Sequence, residues 1–531
     1  MPVWPKTFYT FGLSLKTAAT EWKLRHRHSA PAVQERTLAS LTSRLAATKY
    51  WREAGVEADM AYDRFKSKVP LQTYEQLTPA IERMKGGESD VLWPGRCALF
   101  AQSSGTTTGQ PRSVPVTEEM LAHFRQASIE ALLYYSVRVR HAGVFRGRHL
   151  ILGGHTALAP VAESAAHPAY TGELSSIIAV NLPAWAEKHL YEPGNSAAKI
   201  VDWEARLDAI VARTCVRDIS LLAGVPLWVL ELAREFNQRA ANTGQRIDHL
   251  QSVWPNLECL VHLGMSVAPY AKELRALLGS GVKFHEVYAA VEGFIATQDS
   301  DVPGAGLRLM ADLGVFFEFL PMSDFDPGRV EHLGAKAVSL ADVKVGVDYA
   351  LIVTTPGGLG RLVVGDVVRF VSKDPARLIH IGGTTLRLNT FGERVAEKDL
   401  TDALVAICGR HDWRLVNFHV APLLATGSLT GQIRGRHEWW IELQPGTVAT
   451  PIGPQIAAEL DAEVQRSNSD YAARRKSAVL DLPVVRLVMP GVFEHWLRYR
   501  GLWGGQHKLS RCRADRTIAD ELAQITNFAR D

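Results

Sequence analysis

The feature that most restricts this chain is an alternation that begins near Cys97, with short apolar runs separated by segments whose apolar residues recur at helical spacing. The runs at 98–101, 149–152, 219–222, 260–263 and 350–354 have the length of strands. They are apolar at successive positions, the pattern of strands covered on both faces. Between them, 117–133, 228–236 and 268–278 read as amphipathic helices. Strand and helix in alternation require crossovers that return the strands parallel, so the expected fold class is α/β, with a large N-terminal domain built on mixed sheets. Thr117 can cap the first helix, with Glu118 and Glu119 at the positive end of its dipole. The stretch 350–371 differs: it reads as strand–turn–strand around Pro356-Gly357-Gly358 and is expected to be antiparallel.

The texture changes again at 389–396. Leu400, Ala403, Leu404 and Ile407 form a helical stripe, followed by strand-like runs at 415–420 and 439–443. A second helix carries Ile452, Ile456, Leu460 and Val464 on one face, and 484–488 reads as a third strand. This is the content of a separate small α+β domain. The expected division is 1–392 and 393–531, with the hinge around 389–396.

Composition excludes several function classes. A net charge of +3 over 531 residues predicts no nucleic-acid partner and no attraction to membranes. Cys97, Cys215, Cys259, Cys408 and Cys512 are too dispersed for a structural zinc site or a redox pair, and fit a reducing compartment. No run of ~18 apolar residues is present to span a membrane. The N-terminal stretch with Lys6, Lys16, Glu21, Lys23 and Arg25 does not read as a secretory signal. The expected location is cytoplasmic.

The most informative segment runs Gln102-Ser103-Ser104-Gly105-Thr106-Thr107-Thr108-Gly109-Gln110-Pro111-Arg112, after a strand and before the capped helix. Hydroxyls, amides freed by glycines and a terminal cation make a phosphate cradle, with Ser103, Ser104, Gly105, Thr106, Thr107, Gly109 and Arg112 as its candidates. The P-loop spacing is absent. On composition alone the segment fits a polar surface connection equally well. Three further blocks follow in order: His285-Glu286-Val287-Tyr288-Ala289-Ala290-Val291-Glu292-Gly293-Phe294, then 339–369 ending in Val364-Gly365-Asp366-Val367-Val368-Arg369, then Gly504-Gly505-Gln506-His507-Lys508-Leu509-Ser510-Arg511-Cys512.

In this order the four blocks resemble the Gretchen Hagen family of acyl acid amido synthetases, a branch of the acyl-adenylate-forming enzymes, and in particular its bacterial-type members. The resemblance implies the adenylate-forming fold, with a large N-terminal domain that binds ATP and acid and a small mobile C-terminal lid. It implies ATP and Mg²⁺, a small carboxylic acid that is adenylated with release of pyrophosphate, and an amine or amino acid that takes the acyl group. By the same resemblance, Tyr288 and Ala289 frame the adenine and Glu292 helps hold Mg²⁺. Asp366 receives the ribose hydroxyls, with Arg369 beside it in the nucleotide block. Lys508 meets charge on the α-phosphate. The acid pocket is expected from Val225, Trp228, Leu232, Phe294 and His155, each of which also reads as an ordinary core or capping residue.

The blocks depart from the family pattern at Val291, where a hydroxyl residue is usual, at Leu362 and Val363 in place of an aromatic-rich run, and at His507 and Ser510. Two alternatives stay open: transfer of the acyl group to a thiol of coenzyme A or a carrier, and a degenerate homologue that binds nucleotide or acid without turnover.

Overall fold

A computed structural model describes the chain apart from residues 1–4, 26–28, 104–111, 162–166, 243, 245, 386, 426–433, 445–452, 505–508 and 527–531. In chain order its strands are β1 (Leu99–Gln102), β2 (Ser113–Pro115), β3 (Arg148–Ile151), β4 (Ala159–Pro160), β5 (Tyr170–Glu173), β6 (Tyr191–Glu192), β7 (Ile219–Gly224), β8 (Cys259–His262), β9 (Lys283–Ala290) and β10 (Gly293–Thr297). There follow β11 (Leu307–Leu309), β12 (Phe316–Pro321), β13 (Asp348–Thr354), β14 (Leu362–Lys373), β15 (Ala376–Gly383), β16 (Arg387–Leu388), β17 (Val395–Ala396), β18 (Leu415–Leu424), β19 (Gly435–Leu443) and β20 (Val484–Val488).

One sheet of eleven strands, in the order β12-β13-β14-β15-β11-β10-β9-β8-β7-β3-β6, organises the larger part of the chain. From β6 to β9 it is parallel, and from β9 to β12 it is antiparallel. β9 is therefore the seam, parallel to β8 on one side and antiparallel to β10 on the other. Continuous apolar character in β7 and β8 suits burial on both faces. On one of those faces Ile219, Leu222 and Leu260 pack with Leu207, Val229, Leu232 and Trp254 from the covering helices and connections. The antiparallel half packs Phe316, Phe319, Leu351 and Phe370 against Trp51, Phe65 and Leu77 from the N-terminal helices. A second sheet, ordered β2-β1-β5-β4, holds the segment around residue 102.

The C-terminal part has its own sheet, β18-β19-β20, and its own core of Leu400, Leu404, Ile407, Phe418, Trp439, Ile456 and Leu460. The sequence stripe on the helix Glu397–His411 is buried as expected, and so are Ile456, Leu460 and Val464 on the helix Gly453–Ser467. Ile452 lies outside the described residues. Leu388, Phe391 and Val395 also pack into this core, carried by the β16–β17 pair. The fold is thus α/β with mixed sheets and a smaller α+β part at the C-terminus.

Candidate active site

The parallel strands place the site. Their register sets Ile151, Ala223, Val261 and His285 in one row across β3, β7, β8 and β9. The segments with Gly153, Gly154 and His155, with Val225, and with Val291 and Glu292 therefore all leave the carboxyl ends of these strands. In open α/β sheets that edge is where ligands bind. Beyond it, β9 and β10 form a hairpin joined only by Val291 and Glu292.

Asp366 owes its position to an irregularity. The β13–β14 register passes from Ile352↔Val363 to Ala350↔Val367, so Val364, Gly365 and Asp366 oppose Leu351 alone. Gly365 takes φ +102°, a conformation that a side chain resists. Such a bulge re-aims the residues it carries. Asp366 accepts a hydrogen bond from the Tyr288 hydroxyl at 2.5 Å, and His380 Nε2 stands 3.5 Å from its other oxygen. The Tyr288 and His380 rings meet edge-on at 5.3 Å. Burial, then the Asp366 charge, hold the Tyr288 hydroxyl well above the usual phenol range.

Glu292 is 6% exposed. Burial pushes its carboxyl up to about 7; the Asp366 charge adds to the rise, while the Arg112 charge and its own backbone amide oppose it. Behind it, His123 on the helix Glu118–Val139 holds the hairpin: Nε2 accepts from the Phe294 amide at 2.9 Å and Nδ1 lies 2.7 Å from the Leu313 carbonyl. Those partners assign a neutral ring protonated at Nδ1, in keeping with the downward shift that burial imposes.

The expected phosphate cradle joins β1 to β2, so it is the long connection of a β-hairpin, and Thr117 caps the helix that follows by accepting from the Met120 amide at 3.0 Å. Ser103 and Arg112 close its base through Ser103 N to Arg112 O at 2.8 Å and Arg112 N to Ser103 Oγ at 3.3 Å. The Arg112 guanidinium lies 5.1 Å over the Tyr74 ring and donates to Glu75 at 3.1 Å. Ser104, Gly105, Thr106, Thr107 and Gly109 lie outside the described residues, as does Lys508.

Among the remaining expected residues, Ala289 lies on β9 beside Tyr288 and is partly buried. Arg369 donates to Asp348 on the neighbouring strand at 2.7 Å, a pairing across β13 and β14. Trp228 is half-buried, with its ring 5.4 Å from Trp203. Val225 opens the helix Pro226–Asn242, and its carbonyl accepts from the Trp228 amide at 3.0 Å. Leu232 is fully buried in the helix-covered core, and Phe294 packs in a different cluster with Met120 and Phe124. Burial, then the Arg206 charge, draw His155 below the ordinary histidine value. Sequence reasoning missed His123, His380 and Arg206. A lone histidine on an apolar helix face or an alternating strand carries no signal of its partners. Two surface cavities of about 340 and 520 Å³ lie elsewhere, and none of these candidates lines either.

Mg²⁺ takes oxygen ligands and commonly rests on one or two carboxylates together with substrate phosphates. A single buried carboxylate whose ionisation is suppressed until a cation arrives fits that habit. Among the described residues no group of three or more His, Cys, Asp or Glu could cage a metal by itself.

The fold is that of adenylate-forming enzymes. The 2-hydroxyisobutyryl-CoA ligase in complex with R3-HIB-AMP superposes with TM-score 0.54, at 14% identity over 93% of this chain and 90% of that one. The AtGH3.15 acyl acid amido synthetase in complex with 2,4-DB superposes with TM-score 0.75, at 18% identity over 99% and 97%. The chain belongs to the GH3 family: its N-terminal domain matches residues 23–283, its central domain 308–377 and its C-terminal domain 398–517. Relatives include the indole-3-acetic acid-amido synthetase GH3.8 of Oryza sativa subsp. indica, 25% identical over 91% of this chain and 88% of that protein. The probable indole-3-acetic acid-amido synthetase GH3.1 of Arabidopsis thaliana is 25% identical over 91% and 89%.

Proposed function

We propose that this GH3-family chain is an ATP-dependent acyl acid amido synthetase that joins a small carboxylic acid to an amine of the amino-acid class. One observation carries the reading. The electrostatics of Glu292 link the metal-type carboxylate to Asp366, the ribose-type carboxylate, and to Arg112 at the base of the hydroxyl-rich loop. Such an arrangement suits a nucleoside triphosphate and has no use in a purely structural protein.

A carboxylate is a poor electrophile and needs a leaving group. In the first step an acid oxygen attacks the α-phosphorus, the bond to pyrophosphate breaks, and acyl-AMP forms. The demand is for charge stabilisation and alignment. Asp366, held by Tyr288, fixes the nucleoside by accepting from the ribose hydroxyls. Ser103 and Arg112 anchor the loop that cradles the phosphates, and Lys508 meets charge on the α-phosphate. Mg²⁺ held at Glu292 neutralises phosphate charge when bound. In the second step the amine attacks the acyl carbon, loses a proton, and AMP departs.

Val225 and Trp228 supply apolar contact for the acid. Leu232 supports that wall from within the core, and Phe294 and His155 stand at neighbouring strand ends. The C-terminal part moves between the two steps. In this reading the moving unit begins with Leu388, which packs in the C-terminal core, a few residues ahead of the expected boundary at 393. The free cysteines fit a reducing, cytoplasmic setting.

Mass spectrometry of products from ATP, a panel of aryl, indolyl and aliphatic acids, pooled amino acids and coenzyme A tests the reading. An amide product supports it. A thioester with no amide would assign the chain to the thiol-acylating branch instead.

A further inference from the structure

The helix Trp203–Thr214 carries a patch that meets one short stretch of the C-terminal part, from Arg498 to Gly504. Arg206 is 2% exposed and lies 5.1 Å over the Trp203 ring. It donates to the Ile200 carbonyl at 3.0 Å and to the Gly504 carbonyl at 3.2 Å. One oxygen of Glu204 accepts from Arg498 at 2.5 Å and from the Trp503 indole at 3.1 Å, while the Arg498 guanidinium lies 4.7 Å over the Trp503 ring. Gly504 takes φ +76°, and a Cβ there would come within 2.4 Å of Trp203 Cβ. The contact therefore excludes any larger residue at 504 on two grounds, conformation and space.

This seat borders both halves of the proposed site. Trp203 touches Trp228, on the acid side. The charge of Arg206 acts on His155 and interacts with Glu173. Glu173 stands opposite Gln102 in the β5–β1 pairing, one residue before Ser103. Lys508 follows Gly504 by four residues, a tether that reaches at most about 14 Å. Fixing the Gly504 carbonyl beside Arg206 therefore confines Lys508 to the neighbourhood of the phosphate-loop base. The ties are one carbonyl and one exposed ion-pair cluster, each weak alone. Such a seat biases the position of the C-terminal part and still releases it.

We propose that Glu204 and Arg206 are positioning residues for the adenylation half-reaction, seating Trp503 and Gly504 so that the segment bearing Lys508 lies over the phosphates. The inference rests on the proposed two-step reaction and adds the seat to it.

The test compares the half-reactions in the full-length chain carrying Glu204→Gln or Gly504→Ala, with Arg206→Lys as a third variant. Glu204 is half-exposed, so its substitution leaves the core intact. Acid-dependent ATP–pyrophosphate exchange should fall about tenfold or more in each. Amide formation from supplied acyl-AMP should stay within about twofold of the unaltered chain. Hydrogen exchange across 500–504 should speed up in Glu204→Gln, a readout that needs no turnover. Equal losses in both half-reactions, no loss in either, or unchanged exchange at 500–504 would overturn the seat. An unaltered chain that makes no adenylate from any acid counts against the reaction, and the exchange result then judges the seat alone.

Discussion

Tyr288 and Asp366 stand on strands that three others separate, yet the tyrosine hydroxyl donates to the carboxylate at 2.5 Å. Four strand spacings in a flat sheet would set them roughly 19 Å apart. The sheet therefore curls so far that β9 and β14 face each other, and the bond closes the curl at the nucleoside site. Tyr288→Phe should raise the KM for ATP about tenfold with little change in kcat, since the lost bond is one to a charged group. Steady-state kinetics checks this; an unchanged KM would confine the bond to the ligand-free fold.

Glu292 gives a pH signature. Its folded value, about 7, lies above its ordinary 4.5, so the folded state prefers the protonated carboxyl. Its stabilising contribution is complete below about pH 4.5 and is lost as the pH rises through about 7, by up to ~3 kcal/mol. Glu292→Gln should flatten the melting temperature across that window. Metal needs the ionised form, so the Mg²⁺ concentration for half-maximal adenylation should rise roughly tenfold per pH unit below about 7. In the variant that dependence should vanish along with most of the activity.

His123 acts through the hairpin rather than on a substrate. His123→Leu removes the acceptor of the Phe294 amide and the partner of the Leu313 carbonyl, leaving two buried backbone groups unpaired. Stability should fall by ~2–4 kcal/mol, and the Mg²⁺ requirement should rise as the Glu292 turn loosens. Denaturant unfolding and a metal titration read the two effects separately.

Arg361, part of the third sequence block, is a structural residue. Its side chain is fully buried and binds Glu318 through both forks, at 3.0 and 2.7 Å. It also donates to the carbonyls of Lys66, Val69 and Gly334. Arg361→Met should leave the Glu318 charge stranded and lower stability by ~3–5 kcal/mol. Adding Glu318→Leu should recover much of the loss, which thermal unfolding of the two variants would show.

The fold was legible where one residue's neighbours in sequence are also its neighbours in space. The helical stripe of Leu400, Ala403, Leu404 and Ile407 and the apolar run of β7 fall where periodicity puts them. The Thr117 cap likewise sits at the expected helix start. The site was legible only as ordered blocks. Nothing local tells that β9 curls round to meet β14, that His123 reaches the Phe294 amide 171 residues away, or that Arg206 meets Gly504 across 298. Those pairings are set by tertiary packing, which a lone histidine or arginine in an amphipathic helix does not announce. The β1–β2 hairpin was half-seen: its loop was expected before a helix, but β2 is three residues long and carries too little pattern to read.

Acid-dependent ATP–pyrophosphate exchange, followed across a panel of acids with Mg²⁺ and with or without amino acids, tests the central claim most directly. The account predicts exchange that requires one class of acid, disappears in Asp366→Ala, and gives way to net pyrophosphate release when the right amino acid is added. ATP binding without exchange for any acid, or exchange indifferent to Asp366, would contradict it.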